Sequence, residues 1–264
     1  MRTRISVALN GIELHSLDGA IVLQGVDEGA PNWNITAGNR GGKDGQRVNS
    51  IEKRYRDVTV SFAIAEKRNL ILRADILQRV CAWAAEGGDL TVSYRDRQKL
   101  RVVCAALPAV KTLTKWAETY SITFRAYAVP YWQSMDPEVI DIAATASGSG
   151  VLTLRETAGG KLCMVALNSS GSQVDTVSLT ANGDSFGFTG LALANGERLV
   201  IAYDENDIQQ IYIINAAQTA TRSALAARTA ASSDDIRLKH GANTIGVGAG
   251  AALAWNLYTY GRWE

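Results

Sequence analysis

The sequence predicts a mainly β protein in two domains, an antiparallel α+β unit with one helix over residues 1–135 and a β-sandwich of jelly-roll type over residues 136–264. Three observations carry this. Only one segment has a helical stripe of apolar residues, short apolar runs recur between turn signals through the second half, and the charge changes sign near residue 135.

The clearest strand is Val58–Ile64, where Val58, Val60, Phe62 and Ile64 alternate with Thr59, Ser61 and Ala63, the two-residue period of a sheet with one buried face. The helix follows over Leu70–Glu86. Asn69 caps it, Leu70, Ala74, Leu77, Cys81 and Ala84 form its expected buried stripe, and Gly87 and Gly88 end it. Strands are then expected at Leu90–Tyr94, Leu100–Leu107 and Tyr120–Val129, the last stopped by Pro130. Asn10-Gly11 and Asp18-Gly19 suit positive-φ hairpin turns near the amino end.

In the second half, strands are expected at Leu162–Leu167, Val174–Leu179, Leu199–Tyr203, Ile211–Ile214, Thr244–Val247 and Leu253–Tyr260, with turns at Asn182-Gly183 and Asn195-Gly196. The Ala, Ser and Thr-rich stretch Ala216–Ser233 reads as a loop rather than a helix.

Composition sets the class. With 47% hydrophobic and 20% charged residues, 24 Gly and 4 Pro, the chain is an ordinary folded protein. Its net charge of +1 gives no broad basic field for nucleic acid or an anionic membrane, so neither is an expected partner. The halves differ: residues 1–130 carry 19 basic and 13 acidic side chains (+6), residues 131–264 carry 8 and 13 (−5). Cys81, Cys104 and Cys163 lack the paired spacing of a zinc or redox site and read as buried free thiols. Met1–Asn10 has no signal-peptide core and no later run approaches a spanning helix, so folding in a reducing cytoplasm is expected.

Motifs with chemical potential fail on context. Gly183-Asp184-Ser185-Phe186-Gly187 matches a nucleophile elbow, with Asp204, Asp207 and His240 in hydrolase order, but no helix can follow Ser185. Gly38–Asp44 has three residues where a phosphate-binding loop needs four between its glycines, and Asp44 stands where Ser or Thr should be. Gly246, Gly248 and Gly250 miss the dinucleotide spacing; both glycine groups read as flexible or tightly turning loops. With only His15 and His240, a metal site would rest on carboxylates, and Asp204–Asp207 lacks the glycine and distal glutamate of a calcium loop, which leaves a solvated acidic turn. No catalytic, cofactor-binding or metal-binding residue is therefore expected. Two aromatic groups, Tyr127, Tyr131 and Trp132, and Trp255, Tyr258, Tyr260 and Trp263, suit either a core, a subunit contact or sugar stacking.

The order of features resembles a known family. A glycine and arginine loop, Arg40–Arg47, precedes a long alternating strand beginning near Arg56, a helix, Leu90-Thr91-Val92-Ser93-Tyr94-Arg95-Asp96, and a strand pair ending Phe124-Arg125-Ala126-Tyr127-Ala128-Val129-Pro130-Tyr131-Trp132. This is similar to the ring-forming domain of siphophage distal tail proteins. Arg198–Asp204, Ser232-Ser233-Asp234, Gly241–Val247 and Tyr258–Trp263 resemble the galectin-like domain that follows in that family, except that His240 stands where the family often has proline. The resemblance implies a structural virion protein at the tail tip, without catalytic residues, assembled in the bacterial host cytoplasm. It implies a homo-oligomer, a hexameric ring, joining the tail tube to the tail hub and the receptor-binding protein. The alternative is a carbohydrate-binding module whose Trp255 or Tyr258 stacks a cell-surface glycan.

Overall fold

The computed structural model describes residues 5–39, 46–65, 69–108 and 119–264. They divide into two compact units, Met1–Trp132 with Glu264, and Gln133–Trp263.

The first unit is built on antiparallel strands β1 (Val7–Leu9), β2 (Ile12–Glu13), β3 (Ile21–Glu28), β4 (Asn32–Asn39), β5 (Gln46–Ile64), β6 (Gly88–Val92), β7 (Gln98–Ala106) and β8 (Thr119–Ala126), with α1 (Leu70–Ala85) between β5 and β6. Their order in the sheet is β2-β1-β6-β7-β8-β5-β3, and β4 also pairs with β5. The alternation at the end of β5 does what its period demands, since Val58, Val60, Phe62 and Ile64 are buried. On β8, paired to β5 from Arg56↔Ala126 to Ala63↔Thr119, Tyr120, Ile122, Phe124 and Ala126 are buried in the same way. Helix α1 lies on this apolar face, with Trp83 edge-on to Phe124 at 5.9 Å between ring centroids.

Asn69 caps α1 as expected: its side-chain oxygen accepts from the Ile71 and Leu72 N–H groups. The buried stripe matches the expected one only in part, at Leu77 and Ala84. Arg73, Ile76, Leu77, Val80, Trp83 and Ala84 are buried, whereas Leu70 is exposed and Cys81 half-buried. The observed stripe is rotated by roughly 80° from the expected one, and by including Ile76, Val80 and Trp83 it removes more apolar surface from water. Asn10 and Gly11, both at positive φ, turn β1 into β2. Asp18-Gly19 is a turn that joins no hairpin, because the short helical turn Leu14–Ser16 separates it from β2.

In the second unit the strands are β9 (Trp132–Ser134) at its boundary, β10 (Glu138–Leu154), β11 (Gly160–Lys161), β12 (Cys163–Asn168), β13 (Val177–Ala181), β14 (Asp184–Phe188), β15 (Arg198–Tyr203), β16 (Gln209–Ile214), β17 (Thr221–Ser223), β18 (Arg237–Leu238), β19 (Gly241–Thr259) and β20 (Arg262–Trp263). The two strands expected near the carboxyl end are one, β19. It pairs along one edge with β10, from Gly241↔Leu154 to Thr259↔Glu138, and along the other with β13 and then β12. Register shifts in β10 between Ile142, Thr145 and Ser147 mark where this long pair bends, so that it serves both layers of a sandwich. Leu179, Phe186, Leu199, Ile213 and Trp255 pack in a shared core.

Gly246, Gly248 and Gly250 are within β19, not in a loop. A Cβ at Gly246 would meet Thr180 Oγ1 at 2.7 Å and one at Gly248 would meet Ser178 Oγ at 2.6 Å, so the glycines make room for hydroxyls on β13. Ala216–Ser233 is mostly irregular, with β17 and one short helical turn. Its last residues cover the edge of β14: the Thr229 N–H donates to Gly187 O at 2.8 Å and the Ser233 N–H to Ser185 O at 2.7 Å.

Trp255→Ala removes a fully buried indole whose Nε1 donates to Thr145 O at 3.2 Å. A loss of about 3–5 kcal/mol is expected in urea unfolding followed on the second unit; a loss under ~1 kcal/mol would show that this core tolerates the cavity.

Candidate assembly surface

The residues that suggested chemistry are not brought together. Ser185 is an ordinary residue of β14, paired to Thr180, and no helix follows it. Asp204 accepts from the N–H groups of Asn206 and Ile208, both at 2.9 Å, and so builds its own turn. Asp207 is not solvated as expected. It is largely buried, with Lys161 Nζ at 2.9 Å and Arg262 Nη2 at 2.6 Å, and Lys161 also reaches Asp235 at 3.3 Å. Cys163 lies beside this network, and burial pushes its thiol up to about 12, which leaves it unreactive at neutral pH. Of the three cysteines only Cys163 is buried; Cys81 and Cys104 are half-buried. His15 sits on the surface 2.9 Å from Glu13. Most of Gly38–Asp44, and with it the arginine and glycine loop, lies outside the described residues. Among the described residues no three His, Cys, Asp or Glu side chains are grouped to hold a metal ion, and no helix is long and apolar enough to cross a membrane. Trp132 and Trp255, each central to an aromatic group, are fully buried.

What the sequence did not reveal is a hairpin. The chain from β3 to β4 is one path along β5: Ile21–Glu28 pairs with Ile64–Val58, the Gly29 N–H donates to Asp57 O at 2.9 Å, and Asn32–Asn39 pairs with Tyr55–Gln46. Strand β8 accompanies β5 only from Arg56 to Ala63. Residues 32–39 and 46–55 therefore continue beyond the sheet as a two-stranded ribbon, and among the described residues no strand pairs with either of its outer edges.

The ribbon has two unlike faces. Trp33, Ile35 and Ala37 share one face of β4, joined by Val48 and Lys53 from the paired positions of β5, while Asn34, Thr36, Ser50 and Glu52 share the other. Trp33 is 52% exposed, Ile35 58% and Val48 52%. An isolated two-stranded hairpin is marginal in water, and an apolar face without cover makes it more so.

Its root is fixed by charge. Glu28, at the end of β3, accepts from Tyr94 Oη at 2.6 Å, Arg95 Nε at 2.9 Å, Arg95 Nη2 at 2.6 Å and Trp132 Nε1 at 2.9 Å. Burial alone would raise the Glu28 pKa, but the hydrogen bonds from Arg95 and Tyr94 outweigh it and hold the carboxyl below its ordinary value. Arg56 of β5 is 4% exposed, and its Nε and Nη1 have no hydrogen-bond partner among the described residues. Burial and the nearby Arg95 charge lower its pKa, and Glu28 acts in the opposite sense. On the outer side of the root, Asp57 and Arg125 form a bidentate cross-strand pair at 2.6 and 2.8 Å, with the guanidinium 4.0 Å above the Tyr55 ring.

A carboxyl whose folded pKa lies below its unfolded value of about 4.5 contributes fully at neutral pH, and that contribution is lost as pH falls through the folded value. Glu28→Gln is expected to cost the first unit about 1–3 kcal/mol near pH 7 and progressively less towards about pH 3, read by denaturant unfolding along a pH series. A difference from the wild type that does not shrink with acid would contradict this assignment.

No protein-family model matches the sequence, and no curated protein matches it. Solved structures do. A chain of the phage p2 baseplate in its activated conformation with Sr matches at TM-score 0.48 and 8% identity over 97% of each chain, a likeness too low to build on. The Dit protein of phage SPP1, described as a paradigm of the hub adsorption apparatus in phages that infect Gram-positive hosts, matches with a TM-score of 0.64 at 12% identity, over 97% of this chain and 98% of that one. Through both of its units, the chain has the fold of the SPP1 Dit protein.

Proposed function

We propose that this chain is a structural subunit of a siphophage tail tip, a distal tail protein whose copies close into a ring of six. That ring joins the tail tube to the hub and to the receptor-binding apparatus. The fold it shares with the SPP1 Dit protein over nearly the whole of both chains is the observation that carries this reading. The distribution of surface supports it. Of the nineteen exposed large apolar side chains among the described residues, thirteen lie in the first unit, from Ile5 to Tyr127, and six in the second. Such residues in numbers, beside free strand edges, suit a unit that is covered by its own copies.

The reading assigns no catalytic residue; Ser185 is held in a hairpin strand, paired to Thr180, and does not itself form the turn. A glycan platform on Trp255 is disfavoured, because an indole 2% exposed offers no face to a sugar.

Sedimentation velocity and negative-stain microscopy of the pure protein at tens of micromolar test the proposal. A closed ring with a central opening and six-fold averages is expected. A sharp monomer over that whole concentration range would overturn it.

A further inference from the structure

Two places on the first unit bring three large, exposed apolar residues together on one local surface. One is the ribbon face with Trp33, Ile35 and Val48. The other is the first turn of α1, where Leu70 is 46% exposed, Ile71 83% and Leu72 39%. Three consecutive residues on a helix span about 200° of its circumference, so a turn capped by Asn69 cannot hide all three against its own sheet. Other exposed apolar residues of this unit, such as Ile12 on β2, Val103 on β7 and Tyr127 after β8, are on separate elements.

The two patches belong to opposite ends of one strand. Ser50, in the middle of the ribbon, and Ile64, at the far end of β5, are separated by fourteen residues of strand with one register shift at Arg54, at most about 45 Å at ~3.3 Å per residue. From Ile64 only five residues lead to Asn69, a reach of at most ~18 Å. A ribbon carried on a strand that is clamped between β3 and β8 cannot fold back across that gap to cover its own helix. Neither patch can cover the other within one chain, and a second copy offers each of them an apolar counterpart at its opposite end.

We propose that copies of this chain associate head to tail, the apolar face of the ribbon of one copy seated on the first turn of α1 of the next. A contact between two different patches at opposite ends is heterologous, and it closes a ring when its rotation divides the circle. The inference rests on the assembly proposed above and adds which residues meet. One face of a ribbon eight residues long outlines only about 260 Å², against ~800 Å² per partner in a standard interface, so this contact acts as a hot spot while sheet edges supply further area. Trp33 is of the residue type most enriched in hot spots.

Two substitutions test it, both at exposed positions: Trp33→Glu on the ribbon and Ile71→Glu on the helix, where an acidic residue in the first turn favours the helix dipole. Each variant must match the wild-type circular dichroism; Ile35→Glu or Leu70→Glu replaces one that does not. Sedimentation velocity is expected to show each variant alone as a monomer, and an equimolar mixture as a one-to-one dimer. In that dimer the intact ribbon of the Ile71 variant binds the intact helix turn of the Trp33 variant, and growth stops there. Rings of wild-type size from either variant, or a mixture that stays monomeric, would overturn the head-to-tail contact while leaving the ring itself standing. A wild-type protein that is itself monomeric would remove both proposals.

Discussion

The hairpin of the first unit depends on one carboxylate. Glu28 ends β3 at the point where the chain passes Gly29 and Pro31 into the ribbon, and its two oxygens receive Tyr94, Arg95 and Trp132. Arg95 also lies 4.9 Å over the Trp132 ring. Arg56, deeply buried and short of hydrogen-bond partners, adds a second positive charge that Glu28 helps to balance. Two guanidinium groups close together under little water are tolerable only with such a counter-charge. Where those groups sit decides where β3 ends and how the ribbon leaves the sheet.

Beyond that root the economy of the sheet changes. Inside it, β5 has a neighbour on each side and buries Val58, Val60, Phe62 and Ile64; outside it, among the described residues, the same strand has β4 alone. Natural sheets blunt their edges, and the second unit does so at β14, where Thr229–Ser233 covers the strand with hydrogen bonds. Among the described residues the ribbon has no such cover, and it carries Trp33, Ile35 and Val48 on one face. An exposed edge and an exposed apolar face together are the physical marks of a surface completed by association.

The second unit solves a different problem. A strand of nineteen residues, β19, has to serve both layers of a sandwich. It does so with glycines where β13 brings hydroxyls close and with Leu253, Trp255 and Leu257 where the core needs volume. Buried polar residues tie down turns: Asn168 donates to Ser172 O at 2.7 Å and to Leu193 O at 2.8 Å, and Asn243 donates to Lys239 O and Gly241 O.

The sequence by itself determined much of the local structure. Alternation over Val58–Ile64 and Tyr120–Ala126 marked the central strands, Asn69 marked the start of α1, and Asn10-Gly11 and Asn182-Gly183 marked two hairpins, because in each the preference of the residue and the demand of the fold agree. The failure of Gly183–Gly187 as an elbow was equally legible, since the helix it required had no room. Tertiary structure alone decided the rest. Which stripe of α1 faces the sheet depended on the volume that Phe124 and its neighbours offered to Trp83. The run of Ala, Ser and Gly in β10 has no apolar alternation, and it is a strand only because β19 lies beside it. The ribbon is polar and apolar in the right alternation, yet its length and its lack of a cover come from where β8 stops pairing, a fact of register that no window of sequence contains.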